Sequence, residues 1–165
     1  MLQSKRLLLR KMTIDDVDPL MAVFTDPEVM KSFGGGLFDR EQMEHWVQRN
    51  LTHQEQHGYG LFTLVLRHNA LIIGDCGLQH MDVDDAPETE IGYDLHSDYW
   101  GQGLATEAAT SVRDLAFGDL GLQRLVSLIR PDNTASCRVA EKIGMAHERD
   151  IPRGGIPYRV YAVTR

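Results

Sequence analysis

Along the first third of the chain, apolar residues recur every third or fourth position, a spacing that predicts helices. A short apolar segment, KRLLLRKM, comes first and predicts a strand. The next segment, TIDDVDPLMAVFTDPEVMKSF, predicts a helix that begins at Thr13 or Asp15. After the break at FGGGLF, the segment DREQMEHWVQRNLTHQEQHG predicts a more polar helix that ends at Gly58.

The pattern then becomes that of strands, with three candidates in YGLFTLVLR, LIIGDCGLQHM and ETEIGYDLH. A helix in GLATEAATSVRDLAFGDLG follows, and RLVSLIR is an almost unbroken apolar run, typical of a strand buried on both faces. A strand, a crossover helix and a strand form a right-handed βαβ unit, so ETEIGYDLH and RLVSLIR should be parallel.

The last part of the chain predicts one helix, NTASCRVAEKIG, and two closing strands, MAHERD and PYRVYAVTR, joined by a turn around RGG. The resulting order is β-α-α-β-β-β-α-β-α-β-β. This order predicts an α/β sandwich built around a mixed sheet.

Length and composition limit the class of protein. The 165 residues fit a single domain over 1–165, with 42% hydrophobic and 25% charged residues as in ordinary globular proteins. No apolar run approaches the ~18 residues that span a membrane, so we expect a cytoplasmic protein with no membrane partner. For its oligomeric state we expect either a monomer or a homodimer. Cys76 and Cys137 lack metal-site spacing and are expected to be reduced, buried thiols. The net charge of -7 argues against nucleic acid as a partner, and any anionic ligand therefore needs a local site.

Such a site is predicted in DYWGQGLATEAA, where glycines lead directly into a helix. Gly101 and Gly103 allow a ligand to approach the main chain, and the helix start offers unpaired N–H groups and the positive end of its dipole. The amides from Gln102 to Thr106 can therefore hold a pyrophosphate. A plain tight turn is the alternative. A dinucleotide-binding turn fits less well, because Thr106 occupies its third glycine position and about 90 residues of another pattern precede it.

Three linked motifs, W-G-Q-G-L-A-T, P-D-N-x-x-S and E-K-I-G-M, resemble the acetyl-CoA-binding half of the GNAT family, the GCN5-related N-acetyltransferases. The opening SKRLLLRKMTIDDVDPLMAVFTDPEVMKSFGG also resembles the branch that acetylates the N-termini of ribosomal proteins. The resemblance implies a mixed, mostly antiparallel sheet of about seven strands, with two central parallel strands that splay and about four flanking helices. It also implies direct transfer of an acetyl group from acetyl-CoA to a primary amine, either a protein N-terminus or a small molecule.

The resemblance assigns coenzyme-binding residues to this chain. The pyrophosphate would be held by amides in the segment Gln102, Gly103, Leu104, Ala105 and Thr106. The pantetheine arm would pair, like an added strand, with backbone near Asp94, Leu95 and His96. Trp100 stands where the wider family has Gln or Arg, which removes a side-chain contact to phosphate and leaves the backbone cradle.

Ser136 and Asn133 are candidates on the helix after RPDN. Helical spacing puts the Ser136 hydroxyl on the inward, apolar face, where it needs a partner, and bonding back to its own helix is the alternative. The resemblance implies that Ser136 returns a proton to the departing thiolate. Asn133 suits an N-cap, and the resemblance adds a contact to the pantetheine arm.

Glu90 is the preferred general base, because an amine that arrives as an ammonium ion must lose a proton. It shares a strand face with Asp94 and matches the Glu of the family's E-I-G-Y segment; a structural ion pair across the sheet is the alternative. His80 and Asp94 are weaker candidates. A strand amide near Leu95 is expected to stabilise the developing oxyanion.

Other readings of the sequence stay open. The chain can bind acyl-CoA as a sensor or interaction module without catalysis. His53 and His57 are four residues apart but lack the glutamate of H-E-x-x-H, which favours a solvated helix face over zinc. The acidic segment MDVDDAPETE is expected to be an exposed loop, which would attract a cationic amine if it bordered the site. Three basic residues can either contact the coenzyme phosphates or be solvated by water: Arg130, Arg138 and Lys142.

Overall fold

The computed structural model describes residues 1–165 as eight strands, five α-helices and three short 3-10 turns. The strands are β1 Leu2–Gln3, β2 Leu7–Lys11, β3 Leu61–Leu66, β4 Ile72–Val83, β5 Ala86–Leu95, β6 Arg124–Ile129, β7 Ala146–Arg153 and β8 Ile156–Thr164. The helices are α1 Val17–Phe24, α2 Pro27–Met30, α3 Arg40–His57, α4 Leu104–Phe117 and α5 Thr134–Lys142. None of these helices is long and apolar enough to cross a bilayer.

All eight strands belong to one mixed sheet, in the order β1-β2-β3-β4-β5-β6-β8-β7. Only β5 and β6 are parallel, as the predicted βαβ unit requires. Their register is defined by a single pair, Glu90 with Val126, and beyond it the two strands separate. The Leu128 amide of β6 instead donates to the Glu90 carboxylate over 3.2 Å. The splayed parallel pair, the mostly antiparallel sheet and the flanking helices confirm the predicted α/β fold.

Helices cover both faces of the sheet. On one face α4 and α5 bury their apolar stripes against the central strands in the larger core cluster, which includes Ile91 and Leu95 of β5. On the other face α1, α2 and α3 pack in a second cluster around Phe24, Met43 and Val47. Because side chains alternate along a strand, Glu90 and Asp94 lie on the face opposite Ile91 and Leu95, toward α1–α3.

The predicted first helix is divided in the structure. Asp26 and Pro27 separate α1 from α2, and the Asp26 side chain caps α2 by accepting from the Glu28 amide over 2.9 Å. Proline lacks an N–H and disfavours helical geometry in the residue before it, so one continuous helix cannot pass this point. The other difference from the predicted element order is the added two-residue strand β1.

The acidic segment forms the turn between β4 and β5. Asp84 and Asp85 have φ values of 51° and 62°, so they form the tip of a hairpin. Arg149 lies beside Asp84, and Glu88 pairs with Arg124 over 3.0 Å. The tip borders neither of the cavities described below.

Gly77 in β4 lies against the backbone of β3, and we expect Gly77→Ala to destabilise the fold. An added Cβ would lie 2.2 Å from the Gly60 carbonyl oxygen and 2.6 Å from the Leu61 Cα, and backbone cannot move aside as a flexible side chain can. The expected loss in the free energy of unfolding is about 1–3 kcal/mol or more. Urea denaturation measures it, with Gly36→Ala as control, since nothing lies within 4 Å of that position. Equal midpoints for the two variants would contradict this packing.

Candidate active site

The glycine-rich turn forms a cradle of free amides at the start of α4. Gly103 is the N-cap of the helix with φ 78°, and its carbonyl accepts the first intrahelical bond from Glu107. The amides of Leu104, Ala105 and Thr106 donate to no acceptor within the protein. Nothing lies within 4 Å of a Cβ built on Gly101, so the turn is open on its outer side. This geometry suits an anion such as a pyrophosphate.

A cavity of about 540 Å³, here named the outer cavity, runs from this cradle between β5 and α5. Its volume is typical of pockets for small molecules and coenzymes. Eight predicted site residues line it: Asp94, Leu95, Gly103, Leu104, Ala105, Thr106, Asn133 and Ser136. A wider groove of about 990 Å³ along α3 is lined by none of the predicted site residues. The outer cavity therefore fits the chemistry better than the larger groove does.

Two of the predicted coenzyme-binding residues lie outside the lining of the outer cavity. The Gln102 side chain donates to the Asp98 carbonyl over 3.0 Å. His96 lies with its Nδ1 3.7 Å from the Asp26 carboxylate and accepts from the Asp98 amide over 3.2 Å. The structure thus places both residues in the turn that leads to the cradle, with their side chains engaged by the protein.

A smaller cavity of about 180 Å³, here named the inner cavity, continues from the outer cavity toward α3. Glu90 lines the inner cavity only. Aromatic rings form part of its wall, and Phe33 meets Trp46 edge to face with centroids 5.8 Å apart. The two cavities share five lining residues: Ser32, Tyr93, Asp94, Asn133 and Ser136. We call this shared region the junction.

Ser136 lies at the junction with its hydroxyl free of protein partners, while its backbone is fixed at both ends. Its amide donates to Asn133 Oδ1 over 3.1 Å, which makes Asn133 the N-cap of α5 as predicted. Its carbonyl accepts from the Tyr93 hydroxyl over 2.7 Å. Because the backbone is held in place, the side chain has a defined position between the two cavities.

Two carboxyl groups, those of Glu90 and Asp94, line the inner cavity. Burial raises the pKa of Glu90 above its usual range, although the hydrogen bond from Leu128 opposes the rise. Burial, together with the charge of Glu90, raises the pKa of Asp94 to about 7. Burial and the charge of Asp94 also raise the pKa of Asp75, which lies on β4 opposite Asp94. An acid or base with a pKa near neutrality is suited to proton transfer.

Sequence reasoning missed two residues of this region, Arg6 and Asp75, and one contact of a third, Trp100. The Trp100 indole N–H donates to the Leu95 carbonyl over 2.8 Å, so Trp100 holds the end of β5 rather than merely lacking a phosphate contact. Arg6 directly precedes β2, and its guanidinium donates to the Gln102 carbonyl of the cradle over 2.9 Å. Asp75 is fully buried and accepts from the Trp46 indole over 3.1 Å. Trp100 was noticed because it occupies the Gln or Arg position of the family motif. The contacts of Arg6 and Asp75 join distant parts of the chain, so no local sequence pattern indicates them.

The predicted basic residues divide between the cavities. Arg138 and Lys142 of α5 line the outer cavity, beside the junction and the cradle. Arg130 lines the inner cavity, and its guanidinium lies 3.6 Å from the Asp132 carboxylate. The two α5 residues are therefore the better placed for an anionic ligand of the outer cavity.

The histidines near the end of α3 form a stack away from both cavities. His53 and His57 have ring centroids 4.5 Å apart, and His57 stacks on His80 at 4.9 Å. Both ring nitrogens of His53 are engaged by backbone: Nδ1 by the Tyr59 carbonyl at 2.9 Å and Nε2 by the His80 amide at 2.8 Å. This pairing requires the neutral ring, with the proton on Nδ1.

We expect this stack to make the stability of the protein pH-dependent. Burial lowers the pKa of His53, and the charges of His57 and His80 lower it further. Below pH ~6.5 the unfolded chain binds a proton that folded His53 resists, so stability is lost as the pH falls through that value toward the folded pKa. Thermal unfolding at pH 7.5 and 5.5 measures the loss. The decrease should be smaller for His53→Gln, whose amide can both donate and accept, and an equal decrease would contradict the assignment.

Comparisons with known proteins agree with this geometry. The model of the family described as Acetyltransferase (GNAT) domain matches residues 6–146. The protein YkkB of Bacillus subtilis is 34% identical over 161 residues, covering 97% of this chain and 93% of YkkB. The uncharacterized N-acetyltransferase p20 of Bacillus licheniformis is 32% identical over 148 residues, covering 89% and 83%. The crystal structure of an acetyltransferase from Agrobacterium tumefaciens has a TM-score of 0.85 and 30% identity, with 99% and 94% of the chains covered.

The family match, on a mixed sheet with a splayed parallel pair, an amide cradle and two cavities that meet, identifies a coenzyme-dependent acyltransferase. The chain belongs to the GNAT acetyltransferase family, whose members use acetyl-CoA as the acyl donor. It is an N-acetyltransferase, and its free cradle amides and outer cavity fit the coenzyme. The dinucleotide-binding alternative is excluded, because the sheet contains one parallel pair rather than a repeated parallel array.

Proposed function

We propose that the protein transfers an acetyl group directly from acetyl-CoA to a primary amine that enters the inner cavity. The observation that carries the proposal is the junction, where a coenzyme-sized cavity meets a smaller one lined by carboxyl groups. A carboxyl-lined wall attracts an ammonium group, and the junction brings it to the end of a thioester held along the outer cavity.

The coenzyme is proposed to bind at the residues predicted from the sequence. The free amides at the start of α4 hold the pyrophosphate, and the separation of β5 from β6 beyond Glu90 leaves backbone groups near Asp94 and Leu95 for the pantetheine arm. Asn133 borders the same path. Gln102 contributes through its backbone amide, since its side chain donates to the Asp98 carbonyl. The His96 amide donates to the Ile73 carbonyl over 2.9 Å and its carbonyl accepts from the Tyr99 amide, so His96 offers the coenzyme no free backbone N–H.

Two residues are proposed to move protons. Glu90 takes a proton from the arriving ammonium group, because it faces the inner cavity and burial keeps its proton affinity above that of an exposed glutamate. Ser136 donates to the departing sulfur from the junction, where its hydroxyl has no other protein partner. His80 is less suited to act as base, because it lies in the histidine stack outside both cavities.

The acceptor is proposed to be a small amine or the N-terminus of a protein. The RimL ribosomal L7/L12 acetyltransferase, solved with coenzyme A, shares the fold at 20% identity with a TM-score of 0.81 over 98% of this chain and 95% of its own. That likeness supports the fold, and the sequence motifs support the ribosomal branch. One sheet runs through β1 to β8, which supports a single acetyltransferase domain over residues 1–165.

Mass spectrometry of products from a mixed panel tests the proposal. The purified protein is incubated with acetyl-CoA and two sets of acceptors, small primary amines and peptides with free N-termini. We expect a mass gain of one acetyl group on members of one set, and the set identifies the acceptor class. No acetylated product in either set, with the coenzyme still bound, would contradict the proposal.

A further inference from the structure

Asp94 is the only carboxyl group that lines both cavities. The other residues of the junction are two serines, an asparagine and Tyr93. Burial raises the pKa of Tyr93 well above its usual value, and its hydroxyl proton is donated to the Ser136 carbonyl. Asp94 is therefore the one group at the junction that can gain and lose a proton near neutral pH.

Asp75 stands behind Asp94 on the neighbouring strand. The two residues are direct partners in the antiparallel register of β4 and β5, which sets their Cβ atoms about 4.5–5.5 Å apart on one face. Asp75 is 0% exposed; its Oδ2 accepts from the Trp46 indole, and its Oδ1 has no hydrogen-bond partner in the protein. A buried carboxyl oxygen without a donor is costly as a charged group, whereas as an O–H it can donate to the carboxylate opposite.

We propose that Asp94 is a second catalytic proton acceptor at the junction, and that Asp75, held protonated by its burial, is a positioning residue that donates to the Asp94 carboxylate. This inference rests on the proposed function, because it concerns the same transfer. Glu90 lies four residues away along β5, or about 13 Å of strand, and borders the inner cavity only. The two carboxyl groups therefore serve different proton transfers.

The proposed transfer releases one proton for each amide formed. Glu90 takes the first proton when the ammonium group becomes an amine. When the N–C bond forms and the C–S bond breaks, the nitrogen loses a second proton and the sulfur gains one. Asp94 accepts the second proton and returns it to Ser136, which has donated its own to the sulfur. Asp75, Asp94 and Ser136 end as they began, and one proton leaves through Glu90.

Several charged or titratable groups surround this pair. The nearest titratable groups are Glu90 and Tyr93 of β5 and Cys76 of β4. Burial raises the pKa of the Cys76 thiol, which therefore stays protonated. At the cavity walls lie Tyr158 of β8, Arg130 after β6, and Lys31, which is paired with Glu28 over 2.8 Å. Asp132, Arg138 and Lys142 also line the outer cavity. Glu90 is the group whose charge raises the pKa of Asp94, so the test compares variants of both.

The pH dependence of kcat in Asp94→Asn separates the two carboxyl groups. We expect a loss of about 10²-fold or more that is the same at pH 7 and pH 9, because a free amine must still lose a proton as the amide forms. Glu90→Gln should recover at pH 9, where free amine is available. A loss in Asp94→Asn that disappears at pH 9, or the absence of any loss, would overturn the inference.

Two substitutions of Asp75 test its role. Asp75→Leu removes the donor to Asp94, and we expect the acid limb of the pH–kcat profile to move up by about one pH unit. Asp75→Asn keeps an N–H donor and should move it less. An acid limb that is unmoved in Asp75→Leu, or that moves equally in both variants, would overturn the positioning role.

Carboxyl 13C NMR of the protein without acetyl-CoA gives a reading that is independent of activity. We expect one aspartate, lost in Asp94→Asn, to titrate near pH 7 while another, lost in Asp75→Asn, stays protonated through that range. Titration of both below pH 5 would overturn the inference. Absence of acetyl transfer by the wild-type protein would contradict the proposed function, whereas an active wild type with ordinary aspartate titrations would contradict this inference alone.

Discussion

Replacing Ser136 with alanine is expected to lower kcat by about 10²-fold or more while the affinity for acetyl-CoA is nearly unchanged. The hydroxyl lies where the two cavities meet, and Ser136 is the residue that we propose protonates the departing sulfur. The amide of residue 136, which Asn133 holds, and the carbonyl, which Tyr93 holds, are both retained in the variant. Steady-state kinetics and calorimetric titration with acetyl-CoA measure the two quantities.

Ser111→Ala is the matched control for this prediction. The Ser111 hydroxyl donates to the Glu107 carbonyl within α4 over 3.1 Å and borders neither cavity, so its loss should leave kcat close to the wild-type value. If Ser136→Ala also retains wild-type kcat in an assay limited by chemistry, Ser136 is not the acid.

Glu90→Gln is expected to lower kcat by about 10²-fold near pH 7, with the loss shrinking as the pH rises. The amide keeps an oxygen that can accept from the Leu128 N–H, so the contact between β5 and β6 is preserved, but it cannot take a proton. At high pH the amine arrives already deprotonated and needs this base less. The pH profiles of kcat in wild type and variant, from pH 7 to pH 9.5, measure the change.

Glu88→Gln provides the comparison, because Glu88 lies on the same strand in an ion pair with Arg124 and borders neither cavity. It should show no pH-dependent loss. A loss in Glu90→Gln that is constant with pH would make Glu90 a structural link between the two parallel strands.

The sequence predicts the elements around the outer cavity well, because their signals are local. The glycines before α4, the crossover from β5 to β6 and the Asn133 cap each lie within one short segment, and the structure contains all three. The break between α1 and α2 was also readable in principle from Pro27, but the apolar spacing continues across it. Periodicity alone therefore predicted one helix.

The acceptor side depends on strand register and on contacts between distant segments. Asp75 faces Asp94 only because β4 and β5 pair in one particular register, and a shift by one residue would place the two on opposite faces. Trp46 reaches Asp75 across 29 residues of sequence. Asp94 is a candidate because it lines both cavities. The alternation of apolar and polar residues in its own strand does not predict that position.

Thiol release from acetyl-CoA, measured with and without an amine, distinguishes direct acetyl transfer from binding alone. We expect that release requires the amine, saturates with the amine concentration, and yields one thiol for each acetylated amine. Tight binding of acetyl-CoA with no amine-dependent release, across small amines and N-terminal peptides, would contradict direct transfer and indicate a binding module.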